Sequence, residues 1–129
     1  MSALVIDTSS WVAYFAGEGP DWIDAALEEG RVWLPPIVAA ELASGTPSPR
    51  QRKMLEELLE DLPLCSCDLA HWLRVGQLRS TLARRGVVVS TPDAHVAQCA
   101  IDLGGELLTE DKVFQLICNK SSLRLASSR

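Results

Sequence analysis

No run of apolar residues in this 129-residue chain approaches the ~20 needed to cross a bilayer. No basic cluster precedes the first apolar stretch, and Asp7 interrupts that stretch early, so a secretory leader is not expected and a cytoplasmic location is. The C-x-x-C pairs of a zinc ribbon are also missing. The four cysteines, Cys65, Cys67, Cys99 and Cys118, are instead expected as reduced, buried thiols, with Cys65 and Cys67 pointing to one face of a strand-like run over 62–67. Nor is there a basic excess. With 12 Lys and Arg against 17 Asp and Glu, the net charge of −5 excludes a protein that coats nucleic acid through bulk charge. It leaves room for a local site whose carboxylates are neutralised by metal. No His or Cys stands in a triad-like context, and there is no internal repeat or low-complexity segment. The balance of 47% hydrophobic and 22% charged residues predicts one compact domain over residues 1–129.

What is present is organised around Ala3-Leu-Val-Ile-Asp7-Thr-Ser-Ser-Trp11. Four apolar residues run into a carboxylate, followed by three hydroxyl side chains and an aromatic, helix-like segment. An unbroken apolar strand belongs inside a parallel sheet, and ligands in such sheets bind beyond the carboxyl ends of the strands. Asp7 sits at that place. Asp and Ser also cap helices routinely, so a cap for a helix beginning near Ser9 is the alternative.

Further along, Trp11, Tyr14 and Phe15 give one helix face an aromatic character suited to core packing or a protein interface. Helices are expected at 21–29, 37–44 and 50–62, the second carrying Glu41 and the third opening with Arg50, Arg52 and Lys53. A strand at 31–34 precedes Pro35 and Pro36. Asp68 caps a long helix over 69–85 with Trp72, Leu73, Val75, Leu78 and Leu82 on its buried side. Thr91 as cap and Pro92 at the first position open a helix reaching 104 and bearing Asp93. A strand at 106–109, a helix over 111–117, a weak strand at 123–125 and a frayed tail at 126–129 complete the chain.

Strands alternating with helices imply βαβ units and a parallel sheet. All strand C-termini and helix N-termini then fall along one edge. Asp7, Glu41, Asp93 and Asp111 all belong to that edge despite their separation in sequence. Like charges gathered so closely disfavour one another unless a cation compensates them. A hard divalent cation does so, and Mg²⁺ combines carboxylates, water and phosphate oxygens. Asp21 and Asp68 also stand at helix starts, and topology alone leaves them open. A receiver domain would need paired acids after the first strand, and an aspartyl phosphatase a second acid where Ser9 stands.

The segments Val-Ile-Asp7-Thr-Ser, Ile37-Val-Ala-Ala-Glu41-Leu, Thr91-Pro-Asp93-Ala-His-Val-Ala and Leu107-Leu-Thr109-Glu-Asp111 together resemble the PIN-domain ribonucleases, in particular the VapC-type toxins of toxin–antitoxin pairs. The resemblance spans nearly the whole chain. It implies an α/β, three-layer fold with a parallel sheet of about five strands in the order 3-2-1-4-5 and helices on both faces. It carries the metal-binding and catalytic quartet over to Asp7, Glu41, Asp93 and Asp111, with Thr8, Ser9 and Thr109 as supporting hydroxyls, and sets Asp68 apart. The implied activity is a Mg²⁺-dependent endoribonuclease, with Mn²⁺ able to substitute, leaving 5′-phosphate and 3′-hydroxyl ends. The implied partners are an RNA substrate, a cognate antitoxin whose C-terminal segment covers the groove near the helices of 37–62, and a second copy in a homodimer. A non-catalytic metal- or partner-binding module of the same fold is the competing expectation. Arg74, Arg79, Arg84 and Arg85 offer phosphate contacts, or simply a solvated face. Two positions depart from the pattern: His95, expected at the surface or beside RNA, and Glu110, expected to be a solvated fifth acid.

Overall fold

The computed structural model describes residues 2–127. Its centre is β1 (Leu4–Ile6), whose three side chains are all buried. β1 pairs in parallel with β2 (Val32–Trp33) on one side and β3 (Glu106–Leu108) on the other, giving the order β2-β1-β3. In register, Leu4 faces both Val32 and Glu106, and Ile6 faces Leu108. A central parallel strand with helices packed on the sheet is buried on its faces as well as paired at its edges, which is why its sequence is continuously apolar.

Among the described residues the sheet has three strands rather than five. The segments expected as edge strands each make a single parallel bridge, Leu64 with Leu34 and Leu125 with Leu107. At the first, Leu34 N–H donates to the Pro63 carbonyl (2.9 Å) and Cys65 N–H to the Leu34 carbonyl (3.0 Å). Pro35 and Pro63 have no N–H to extend that ladder. At the second, Ala126 N–H donates to the Leu107 carbonyl (2.8 Å), so the chain is pinned where fraying was expected to begin. Residues 128–129 of that expected tail lie outside the described residues.

The helices are α1 (Thr8–Phe15), α2 (Ile23–Glu28), α3 (Pro36–Ser44), α4 (Pro49–Glu60), α5 (Leu69–Arg84), α6 (Thr91–Asp102) and α7 (Val113–Asn119). Proline opens α3, α4 and α6, where a missing N–H costs nothing. The cap of α6 is Ser90, one residue before the expected Thr91: its side chain accepts from Asp93 N–H at 3.2 Å. On α5, Leu73 faces solvent instead of the core, while Val75 and Leu82 are buried as expected.

α6 is the most enclosed helix, buried continuously from Ala94 to Ala100. Ala94, Ala97 and Ala100 keep its inner face thin, and it packs against β1 and β3 as well as α5. Gly105 then brings the chain into β3 so closely that a Cβ there would lie 2.3 Å from the Ala3 carbonyl oxygen. Enclosure of α6 overturns the expectation for His95. Its side chain is fully buried, stacked on Trp72 (centroids 4.7 Å, 11° between planes), with Nδ1 2.8 Å from His71 Nε2. Burial and the neighbouring His71 pull its pKa down to about 4.

Candidate active site

The chain leaves β1 toward β2 and later returns to β1's other side as β3, so the crevice between the ends of β1 and β3 is a topological switch point. Asp7 is the first residue beyond β1 and Thr109 the first beyond β3. Asp7 N–H donates to the Leu108 carbonyl at 3.1 Å, holding the two ends together.

Asp7 is almost fully buried, and three donors fix its carboxylate. Ser9 Oγ (2.8 Å) and Ser10 N–H (3.0 Å) donate to Oδ1, and Thr109 Oγ1 donates to Oδ2 at 2.5 Å. It therefore caps α1 through one oxygen while the other is tied to the β3 turn. Capping and a site position are compatible roles for one residue.

Around it lies a cavity of about 290 Å³ lined by Asp7, Glu41, Asp93 and Asp111 together with Thr8 and Ser9. Each acid arrives on a different element. Glu41 stands on α3 and accepts from the Thr8 hydroxyl at 2.7 Å. Asp93 lies in the first turn of α6, and Asp111 precedes α7, where its Oδ1 accepts from Val113 N–H at 3.0 Å. Burial pushes the Asp93 carboxyl above its ordinary range against a hydrogen bond from the Ser90 side, and repulsion from Asp111, Glu41 and Asp7 adds to the rise. Among the described residues, no Lys or Arg forms an ion pair with any of the four. A set of acids sharing one cavity without a basic partner suits a hard divalent cation and its phosphate ligand.

Other candidates lie elsewhere. Asp68 caps α5 through His71 N–H (3.0 Å), and neither it nor Asp21 lines the cavity. Glu110 is exposed, and only its backbone takes part, donating to Ser9 Oγ at 3.1 Å. The four arginines are outside the cavity too. Arg74 pairs with Asp102 through Nε (3.0 Å) and Nη2 (2.9 Å), Arg79 donates to the Val89 carbonyl, Arg85 to the Lys120 carbonyl, and Arg84 lies 3.4 Å from both Ser80 and Thr81 hydroxyls.

A second concavity, about 670 Å³, runs between α1, α3 and α4. Val12, Phe15, Leu42, Met54, Leu55 and Leu58 give it an apolar floor, and Thr8 and Glu41 border both concavities. Val12, Phe15 and Met54 are exposed, an uncommon arrangement for large apolar side chains gathered in one groove.

Comparison with known proteins bears on the family and the fold. A family model described as PIN domain matches residues 4–120. Ribonuclease VapC11 of Mycobacterium tuberculosis is 31% identical over 136 aligned positions, covering 98% of this chain and 99% of that protein. A VapC ribonuclease of Mycobacterium bovis matches to the same extent. Among solved structures, DNA-bound VapBC from Salmonella typhimurium aligns with a TM-score of 0.79 at 22% identity, over 98% of each chain. VapBC-1 from nontypeable Haemophilus influenzae aligns at 0.73 and 22% identity, over 97% of each. These two structures speak to the fold.

Proposed function

The chain belongs to the PIN-domain family, and we propose that it is a metal-dependent endoribonuclease, the toxin of a toxin–antitoxin pair. The observation that carries this reading is the convergence of Asp7, Glu41, Asp93 and Asp111 on one cavity at the strand ends, with no basic side chain among the described residues paired to them. The names of the mycobacterial relatives supply the substrate class, RNA.

The donor set fits Mg²⁺ or Mn²⁺: hard carboxylate oxygens, hydroxyls beside them, and room for water and phosphate. Such an ion, when bound, offsets charge on the phosphate in flight and lowers the pKa of the attacking water. Asp7 and Asp93 are the principal ligands in this proposal. Ser9, Ser10 and Thr109 hold Asp7 in one orientation, as a preorganised ligand requires. Glu41, steadied by Thr8, and Asp111 complete the cavity wall and orient the water for attack on phosphorus. As the water oxygen bonds to phosphorus the P–O3′ bond breaks, the water's proton passes to solvent through a carboxylate and the departing 3′ oxygen takes one up; water is the nucleophile, so no Ser, Cys or His is needed in that role.

The apolar groove beside the cavity supports an antitoxin segment as partner, laid across α1, α3 and α4 with a basic side chain reaching Glu41. VapBC assemblies among the structural neighbours point the same way. The single bridges at Leu64 and Leu125 support placing those segments at the edges of a five-position order 3-2-1-4-5, with helices on both faces. A homodimer, a cytoplasmic site of action and one domain over 1–129 belong to the same proposal.

A fluorescent RNA cleavage assay on the purified chain tests it. Cleavage should require Mg²⁺ or Mn²⁺ and disappear in Asp7→Asn. Activity that persists in EDTA or in that variant overturns the metal mechanism. Folded protein that cuts no cellular RNA under either ion is a binding module of the same fold.

A further inference from the structure

α5 and α6 lie side by side, and at one end of their contact four metal-ligating side chains converge. Cys67 immediately precedes the α5 cap, and His71 follows it by four residues. His95 and Cys99 are four apart on α6 and so share one face of that helix, whereas Cys67 reaches the cluster from the segment before α5. One potential ligand atom from each of the four lies within 4.8 Å of all the others. His71, His95 and Cys99 are buried, and Cys67 is half-buried. None of them lines the acidic cavity.

We propose that Cys67, His71, His95 and Cys99 form a structural Zn²⁺ site, separate from the carboxylate cavity and independent of the nuclease reading. Two thiols and two imidazoles are a donor set that zinc takes in tetrahedral, closed sites. Bonds of about 2.0–2.3 Å set the corners of such a tetrahedron about 3.3–3.8 Å apart. His71 Nε2 and His95 Nδ1 stand at 2.8 Å, and Cys99 Sγ is 4.0 Å from His95 Nδ1. No separation in the cluster exceeds 4.8 Å, so the four donors stand within about 1 Å of tetrahedral corner spacing.

The surroundings strengthen the assignment. An ionised Asp102 can only accept, so His71 Nδ1 donates to its Oδ2 at 3.0 Å and His71 Nε2 accepts from His95 Nδ1 at 2.8 Å; zinc would take the place of that shared hydrogen, binding both nitrogens. Asp102 is itself fixed by Arg74 and by Gln98 Nε2 (2.8 Å). A carboxylate behind an imidazole ligand is the usual outer support of a zinc site, setting both tautomer and ring orientation. Trp72 stacked on His95 closes the other side. The ion would staple the start of α5 to α6, the helix whose first turn carries Asp93.

The test uses the reduced full-length chain. After growth in zinc-replete medium and desalting, elemental analysis should find ~1 Zn²⁺ per chain. Replacement by Co²⁺ should give the visible ligand-field bands of a tetrahedral centre and a thiolate-to-cobalt charge-transfer band. Cys67→Ser, at the half-buried and least confined ligand, should diminish the charge-transfer band. Asp102→Asn should lower affinity about 10–100-fold with the ligands intact. Asp7→Asn should leave the spectra unchanged, which separates this site from the carboxylates. Folded, reduced protein that holds no Zn²⁺ and shows no cobalt bands overturns the proposal. So does a cobalt spectrum lost in Cys65→Ala but intact in Cys67→Ser, or thiols of the cluster joined in a disulfide that excludes metal.

Discussion

Thr109 Oγ1 donates to Asp7 Oδ2 across 2.5 Å, joining the turns after β3 and β1 although the residues are 102 positions apart. The same oxygen accepts from Asp111 N–H at 2.9 Å, so one hydroxyl positions two of the cavity's acids. Thr109→Val keeps the shape and removes the hydroxyl. A hydrogen bond to a charged group contributes about 1.5–3 kcal/mol, so RNA cleavage should fall about tenfold or more, while Thr109→Ser stays near the original rate. Wild-type cleavage by Thr109→Val would show that this hydroxyl positions nothing of consequence.

Asp93 gives a pH dependence with a definite sign. Its carboxyl is pushed above the ordinary range by burial, and by the other acids, so the folded chain holds a proton at pH values where the unfolded chain has lost it. Stability therefore falls as pH rises through that window. Asp93→Asn removes that loss. In EDTA at pH 7 the variant should melt at a higher temperature than the original chain. The gap should close as pH drops below the ordinary carboxylate range. Mg²⁺ should raise the melting temperature of the original chain more than that of Asp93→Asn. A variant that melts at or below the original at pH 7 refutes the argument.

Gly105 marks a close approach of backbones rather than a special turn. Its Cβ would meet the Ala3 carbonyl oxygen at 2.3 Å and the carbonyl carbon at 2.9 Å, and backbone cannot yield as a flexible side chain does. Gly105→Ala should destabilise by about 1–3 kcal/mol through displacement of β1 from β3. Gly76, within α5, has no neighbour within 4 Å of an added Cβ, so Gly76→Ala should instead stabilise by about 0.5–1 kcal/mol. Urea unfolding of the two variants reads the contrast directly.

The parts of the fold legible in the sequence are those with one dominant local signal. The apolar run of β1 has no competing period, and the prolines at 36, 49 and 92 mark helix starts at or within one residue of those observed. The acids of the cavity were within reach because parallel topology sends every strand end to one edge. His95 was not, because its burial is set by α5 lying across α6, which no periodicity within α6 expresses. A signal for the second cluster was nevertheless present. His95-x-x-x-Cys99 places two metal-ligating side chains one helical turn apart, and Cys67-x-x-x-His71 repeats that spacing across the start of α5. Searching for C-x-x-C passes over that spacing. Composition marks both edge segments as strands, but each makes a single bridge; at Leu64 the ladder stops where Pro35 and Pro63 lack donors.

The groove between α1, α3 and α4 yields the last prediction. Met54 and Phe15 are 62% and 49% exposed, so apolar surface there gains a large area of burial when a partner covers it. Glu41 borders both this groove and the acidic cavity, so a segment lying in the groove ends at the carboxylates. Met54→Glu places a charge on the apolar floor and should weaken binding of the proposed antitoxin about tenfold or more. Leu116→Glu on α7 alters an equally exposed leucine that does not line the groove, and should leave that affinity unchanged. Titration of the co-expressed partner against both variants decides the point. Equal losses in the two would place the partner elsewhere, and no loss in Met54→Glu would leave the groove without a role in neutralisation.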